Sequence, residues 1–184
     1  MKIETIEIAG FAGALKALRL PFGKEERSLS NITYYNLFET FGYQIKIDKS
    51  PEDFSLMSIL VKRGDEHAKV MRGIMVWAKI TAPIYWWCEE ETYRVGHERL
   101  CSESTMHIDC RGLSGKELQK AKAEIPMGKE LTKVDFFSYQ CLRNIYKQRK
   151  NHRLQEWHQF CDWIETLPFA KDLITVGLDG KDGR

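Results

Sequence analysis

The chain has 184 residues, 43% of them hydrophobic and 29% charged, with 28 Lys and Arg against 26 Asp and Glu for a formal charge of +2. This length suits one domain that buries roughly 70% of the surface its unfolded form exposes, and the composition excludes a disordered or fibrous chain. The charge is too balanced for a protein that coats nucleic acid, so any basic site must be local. Cys88, Cys101, Cys110, Cys141 and Cys161 are odd in number, scattered and without a Cys-x-x-Cys pair. They read as free thiols in a reducing cytoplasm. Met1-Lys2-Ile3-Glu4 lacks the apolar stretch of an export signal, and the longest apolar run, Gly73 to Cys88, is broken by Lys79. That run is shorter than the ~18 residues a membrane span requires.

Lys2 to Ile8 alternates imperfectly and suits a first strand; Phe11, Leu15 and Leu18 mark one face of a helix ending before Pro21. Ser50-Pro51-Glu52-Asp53 combines an N-cap serine, a proline at the first helical position and two acids in the first turn. The helix it starts carries Phe54, Met57, Leu60 and Val61 as its stripe and stops at Gly64. Ile74 to Thr81 reads as a largely buried strand leading to Ala82-Pro83. A helix is expected from Pro83 through Ile84, Trp87, Glu91, Arg94 and Val95 to Gly96, followed by a polar stretch. Three more helices are expected after it. Ser114-x-x-Glu117 and Thr132-x-x-Asp135 have the form of capping boxes, Val134, Phe137, Cys141 and Ile145 stripe one helix, and Leu154, Trp157, Cys161 and Ile164 stripe the last. The sum is one α+β domain over residues 1–176, helix-rich with a few strands, and a loose Gly- and Asp-rich tail over 177–184.

The polar stretch Cys88 to His107 holds five carboxylates, two arginines and two histidines. A solvated helix face with Glu90 and Arg94 paired one turn apart would explain much of it. A buried strand and the Trp86-Trp87 pair do not lead naturally into a featureless loop, however, so Ala82 to His107 is the candidate functional centre. His97-Glu98-Arg99-Leu100-Cys101 resembles a zincin helix with Cys in place of the second His, but Gly96 breaks a helix there and spacing indicates no third ligand. Ser102 and Ser104 lie near His97 and His107 without a Gly-x-Ser-x-Gly elbow, which argues against acyl transfer. No dinucleotide or Walker A glycine pattern is present. Lys147 to Arg153 is a second, basic cluster. It reads either as a helix C-terminus with Asn151 capping the next helix, or as an anion site suited to a nucleotide monophosphate rather than a polymer. Tyr146 and Trp157 beside it could pack on a base, although at helical spacing such residues are more often core.

These segments resemble the flavin-dependent thymidylate synthases. Ala82-Pro83-Ile84-Tyr85 matches the family's strand-to-helix passage, Arg94 falls on the last arginine of its Arg-His-Arg triplet, and Ser102 follows after seven residues. Gly64-Asp65-Glu66-His67 is similar to its Gly-His-Glu segment, Ile125-Pro126 to its Leu-Pro, and Arg149, His152 and Glu156 to its later helix. Trp86-Trp87, Ser104-Thr105-Met106-His107 and Glu156-Trp157-His158 resemble a divergent branch carried by phages and mobile elements. The resemblance implies a helix-rich fold with a small antiparallel sheet, and a homotetramer with sites shared between subunits. It further implies methylation of dUMP with FAD, NADPH and methylene tetrahydrofolate.

By position it implies Arg94 and Ser102 as catalytic residues, with Glu89, Glu103, Lys133 and Arg149 beside them for the nucleotide. His67, Tyr93, His97 and His152 would face the flavin. Thr92 and Tyr93 stand in place of Arg and His, Glu89 in place of a glutamine, Leu100 and Ser104 in place of a glutamate and an arginine, and Leu154 in place of a glutamine. Three readings stay open: a flavin-dependent nucleotide-modifying enzyme altered in substrate, a catalytically inactive nucleotide-binding or regulatory protein on the same fold, and, ranked last, a structural or nucleic-acid-associated protein using the Lys147 to Arg153 patch.

Overall fold

The structure, a computed structural model, describes residues 1–23, 31–36, 43–48 and 51–178. Strand β1 (Lys2–Ala9) and helix α1 (Phe11–Arg19) open the chain, followed by the strands β2 (Asn31–Asn36) and β3 (Tyr43–Asp48), which pair only with each other. Then come α2 (Pro51–Arg63), β4 (Met75–Pro83), α3 (Ile84–Glu90), β5 (His97–Ser102), the short α4 (Thr105–Ile108), and α5 (Gly115–Ala123). The last part is β6 (Glu130–Ser138), α6 (Tyr139–Arg149), α7 (Gln155–Thr166) and α8 (Ala170–Leu173). The main sheet is antiparallel in the order β1-β4-β6-β5.

The sheet is built on β4, whose inward residues Val76, Ala78, Ile80 and Ala82 are all fully buried while Lys79 faces out. That alternation is the mark of a strand with one covered face. Phe11, Met57, Ile145, Phe160 and Leu173 bring α1, α2, α6, α7 and α8 into the same core. The stripe of α2 is inward at Phe54, Met57 and Val61, and Gly64 ends it at φ 117°. Ser50 lies outside the described residues. At the edge, the β1–β4 register slips between Thr5 and Glu7, and the Thr5 hydroxyl accepts a hydrogen bond from the Trp163 indole of α7 at 2.9 Å.

Three sequence expectations are corrected. Helix α3 ends at Glu90 rather than near Gly96, so Arg94 lies in a turn, and residues 97–102 form a strand. Gly96 sits at φ 76° with its carbonyl accepting from the Ser138 amide at 2.6 Å; a Cβ there would collide with the Ser138 hydroxyl. Only glycine permits this close approach, and the turn it makes feeds the chain into β5. The supposed capping box at Thr132 to Asp135 is instead inside β6, and the following helix begins at Tyr139 with Ser138 Oγ accepting from the Cys141 amide at 3.1 Å. Period-2 pairing with β4 and β5 overrides the local capping pattern. Asn151 does not cap α7 either: its N-cap is Leu154, whose amide donates to His152 Nδ1 at 3.2 Å.

Gly177 and Leu178, read from sequence as the start of a frayed tail, are anchored: the Lys150 ammonium reaches the Leu178 carbonyl, and the Leu178 amide donates to Thr175 at 2.9 Å. Residues 179–184 lie outside the described set. All five cysteines are free, and no helix among the described residues is long and apolar enough to cross a membrane.

Candidate functional site

Helix α3 is fixed by its tryptophans. The Trp87 indole donates to the carbonyls of Ala82 at 3.0 Å and Leu131 at 3.1 Å, clamping the helix onto the ends of β4 and β6. Trp86 packs 4.9 Å from both Trp87 and Trp157. Two consecutive glutamates then leave the end of α3 in different directions, because neighbouring helical residues are about 100° apart.

Glu89 turns toward α6 and α7. Its Oε2 accepts from Arg149 Nη1 at 2.7 Å and from the Trp157 indole at 2.9 Å, with His152 Nε2 at 3.6 Å. Since His152 Nδ1 is the acceptor for Leu154, Nε2 carries the proton and faces the carboxylate. The Arg149 guanidinium lies 4.6 Å from the Trp157 ring centroid and 5.5 Å from that of Tyr93, and its Nε donates to the Tyr93 hydroxyl at 2.7 Å. Tyr93 in turn donates to Gln148 at 3.1 Å, and burial holds its phenol above the usual pKa despite the neighbouring Arg149. The result is an aromatic-backed pair of opposite charges that retains an open edge, with Glu89 35% and Arg149 18% exposed.

Glu90 turns inward, beneath Arg99 and against β5 and β6, and is fully buried, as is Asp135. Arg99 Nε donates to Asp135 Oδ1 at 3.1 Å, and its Nη2 donates to Glu90 Oε2 at 3.0 Å and Asp135 Oδ2 at 3.2 Å. Its Nη1 donates to Glu91 at 2.6 Å, and Glu91 also takes Lys133 at 3.0 Å. His97 Nε2 lies 3.1 Å from Glu90 Oε1 and 3.2 Å from Asp135 Oδ2, while its Nδ1 is 2.7 Å from the Tyr93 carbonyl. Burial pushes the Glu90 carboxyl up to about 7, with Asp135 adding to the rise and His97, Arg99 and Lys133 opposing it. Burial alone would lower His97, but the Asp135 and Glu90 carboxylates and the Tyr93 carbonyl together raise it.

The other sequence-predicted residues are spread around this core. Ser102 is exposed at the end of β5, opposite Lys133 in β6. Lys133 lies 4.4 Å over the Trp87 ring, and Glu103 Oε2 accepts from the Thr132 amide at 2.7 Å, tying the strand ends. Arg94 is exposed and has no hydrogen bond or ion pair among the described residues. His67, half exposed after α2, faces only Glu66 at 3.7 Å. The structure thus joins Glu89, Tyr93, Arg149 and His152, sets Ser102 beside Lys133, and leaves His67 apart. His97 is enclosed, and Cys101, the partner expected for it in a zinc site, is exposed beyond a register slip in β5. The sequence singled out neither Arg99, Glu90 as a buried residue, nor Asp135 in a strand. One signal was available: Glu90 is three and four residues after Trp87 and Trp86, on their buried stripe.

Four antiparallel strands with this order and helical surround have the fold of the flavin-dependent thymidylate synthases, as a divergent example of it. No protein-family model and no curated protein sequence matches the chain. Among solved structures, the flavin-dependent thymidylate synthase ThyX of Helicobacter pylori with FAD and dUMP is similar with a TM-score of 0.70 over 98% of this chain and 100% of that one, at 11% identity. A second structure of that enzyme gives 0.68 over 94% and 96%, also at 11% identity. The UMP/dUMP methylase PolB of Streptomyces cacaoi, bound to 5-Br dUMP, gives 0.65 over 96% and 93%, at 12% identity.

Proposed function

We propose that the protein binds a nucleoside monophosphate of the dUMP class and modifies its base, as a nucleotide-modifying enzyme of the flavin-dependent thymidylate synthase type. The observation that carries this reading is the Glu89–Arg149 pair on its Trp157 and Tyr93 backing, on that fold, with Arg94 and Ser102 both exposed. In this proposal Arg94 stabilises charge developing on the base, Ser102 hydrogen-bonds the nucleotide, Lys133 and Arg149 meet the phosphate, and Glu89 reads the ring. An ionised glutamate only accepts hydrogen bonds. Glu89 therefore takes ring N–H donors but cannot donate to a ring carbonyl as a glutamine would, which selects a base different from, or held differently than, that of the solved relatives. Catalysis by such residues is orientation and electrostatics.

The H. pylori relative holds FAD. Of the residues expected to face a flavin here, only His67 is turned to solvent; Tyr93 and His152 are committed to Arg149 and Glu89, and His97 is 7% exposed with Nδ1 taken by a carbonyl. Within one chain these groups do not fit a flavin. A homotetramer sharing sites between subunits, and use of NADPH and methylene tetrahydrofolate, belong to the same proposal and are tested with it. The enclosure of His97 favours a second reading, a nucleotide-binding protein without flavin chemistry.

The experiment is thermal unfolding with dUMP, UMP and dCMP, alongside a visible spectrum with added FAD and rescue of a thymidine-requiring bacterium. A binding nucleotide stabilises the protein by about 2.7 kcal/mol at a hundredfold excess over Kd, and Arg149→Ala weakens this by more than about tenfold in Kd. Flavin uptake and rescue support the enzyme; nucleotide binding without either supports the second reading. No shift with any nucleotide removes both.

A further inference from the structure

The inner cluster has a geometry that a plain ion-pair network does not require. The Tyr93 carbonyl can only accept, so His97 Nδ1, 2.7 Å from it, carries a hydrogen and donates. In the neutral imidazole Nε2 is then a bare lone pair. It faces Glu90 Oε1 at 3.1 Å and Asp135 Oδ2 at 3.2 Å, so three acceptors converge, and all three ligand atoms lie within 4.8 Å of one another. Apart from these contacts with one another, neither His97 Nε2 nor Glu90 Oε1 has a hydrogen-bond partner among the described residues, although both are buried. Such groups are rarely left orphaned in a native protein.

We propose that Glu90, His97 and Asp135 form a binding site for one divalent first-row metal ion, through Glu90 Oε1, His97 Nε2 and Asp135 Oδ2. One nitrogen and two carboxylate oxygens suit zinc or manganese, with water completing the coordination. Ligands bound about 2.0–2.1 Å from a tetrahedral zinc ion lie about 3.3 Å apart, close to the two separations of His97 Nε2 from the carboxylate oxygens. The surrounding contacts have the form of an outer shell. The second ring nitrogen donates to a backbone carbonyl, and Arg99 braces Glu90 Oε2 and both oxygens of Asp135. The imidazole is further held by stacking on Phe137 at 4.6 Å and 6° between planes.

Charge agrees. With His97 as the neutral imidazole that a metal ligand must be, three carboxylates, Glu90, Glu91 and Asp135, meet two cations, Arg99 and Lys133, which leaves one negative charge around the buried Glu90 and Asp135. A cation at the convergence point supplies what is missing. Arg99, 25% exposed, covers the outer side and is the side chain that must swing for the ion to pass.

The full chain, purified without chelator from medium supplemented with zinc and manganese, is expected to retain about one ion by plasma mass spectrometry. After EDTA and dialysis, added Co2+ should give visible d–d absorption and Zn2+ should raise Tm. Glu90→Gln, which preserves shape, and His97→Ala should weaken the metal by more than about 100-fold, beyond the loss expected for an outer partner. Circular dichroism and the Tm of the chelated variants verify their folding, so a misfolded His97→Ala leaves Glu90→Gln to decide. The proposal is overturned if chelated wild-type protein develops no cobalt absorption and zinc shifts its Tm no more than that of Glu90→Gln. It is equally overturned if the cobalt spectrum survives in both variants, since the ion would then sit on surface histidines.

Discussion

Glu89 and Glu90 are adjacent on one short helix and end in opposite kinds of surroundings. The outer one meets Arg149, His152 and an indole N–H at a site with an open edge; the inner one is closed beneath Arg99 with His97 and Asp135. The difference shows how one helix end can serve two purposes. Where solvent still reaches, a charge pair can exchange partners with an incoming nucleotide at small cost. Where it does not, every lone pair must find a proton, a donor or a cation, and the arrangement is rigid.

The comparison is broken most severely at Asp135. In Asp135→Ala, Arg99 loses the carboxylate that takes two of its donors and His97 loses a counter-charge, which should cost about 3 kcal/mol in urea unfolding; a loss below about 1 kcal/mol would mean that the inner cluster behaves like a surface pair. A smaller effect concerns pH in chelated protein. Glu90 is raised from 4.5 to about 7 and His97 is raised above 6.5, so in both cases the folded state holds its proton more tightly than the unfolded chain. Their stabilising contribution is complete below the unfolded values and is lost as pH climbs through the folded ones. Wild-type Tm should therefore fall relative to that of Glu90→Gln between about pH 5 and 8. Parallel curves would sink the assignment. The smallest effect is Glu91→Gln: this residue is 50% exposed although it bridges Arg99 and Lys133, and its change should stay below about 1 kcal/mol.

Elements with apolar periodicity were legible in the sequence: β1, α1, α2, β4 and α7 follow it nearly residue for residue, and the fold class came with them. The two strands that carry the inner cluster did not show. In β6 the inward positions include Lys133 and Asp135, and in β5 they include His97 and Arg99, so the alternation that reveals a half-buried strand is written in charges instead of apolar residues. Thr132-x-x-Asp135 then imitates a helix start. The outer site was partly legible, because Glu89, Tyr93, Arg149 and His152 could be singled out by position. The inner one depends on strand pairing between residues about 40 apart, which local pattern does not encode.

The hydrogen bond from Trp163 to Thr5 joins residues 158 positions apart. In the order in which a ribosome releases the chain, strand β1 precedes its partner β4 by more than 60 residues and its tie to α7 by 158. Non-local pairings of this kind form slowly, since a long loop must close before they give anything back. Strand β1 therefore waits as an unpaired edge until β4 is out, and that side of the sheet is tied down only when α7 has followed.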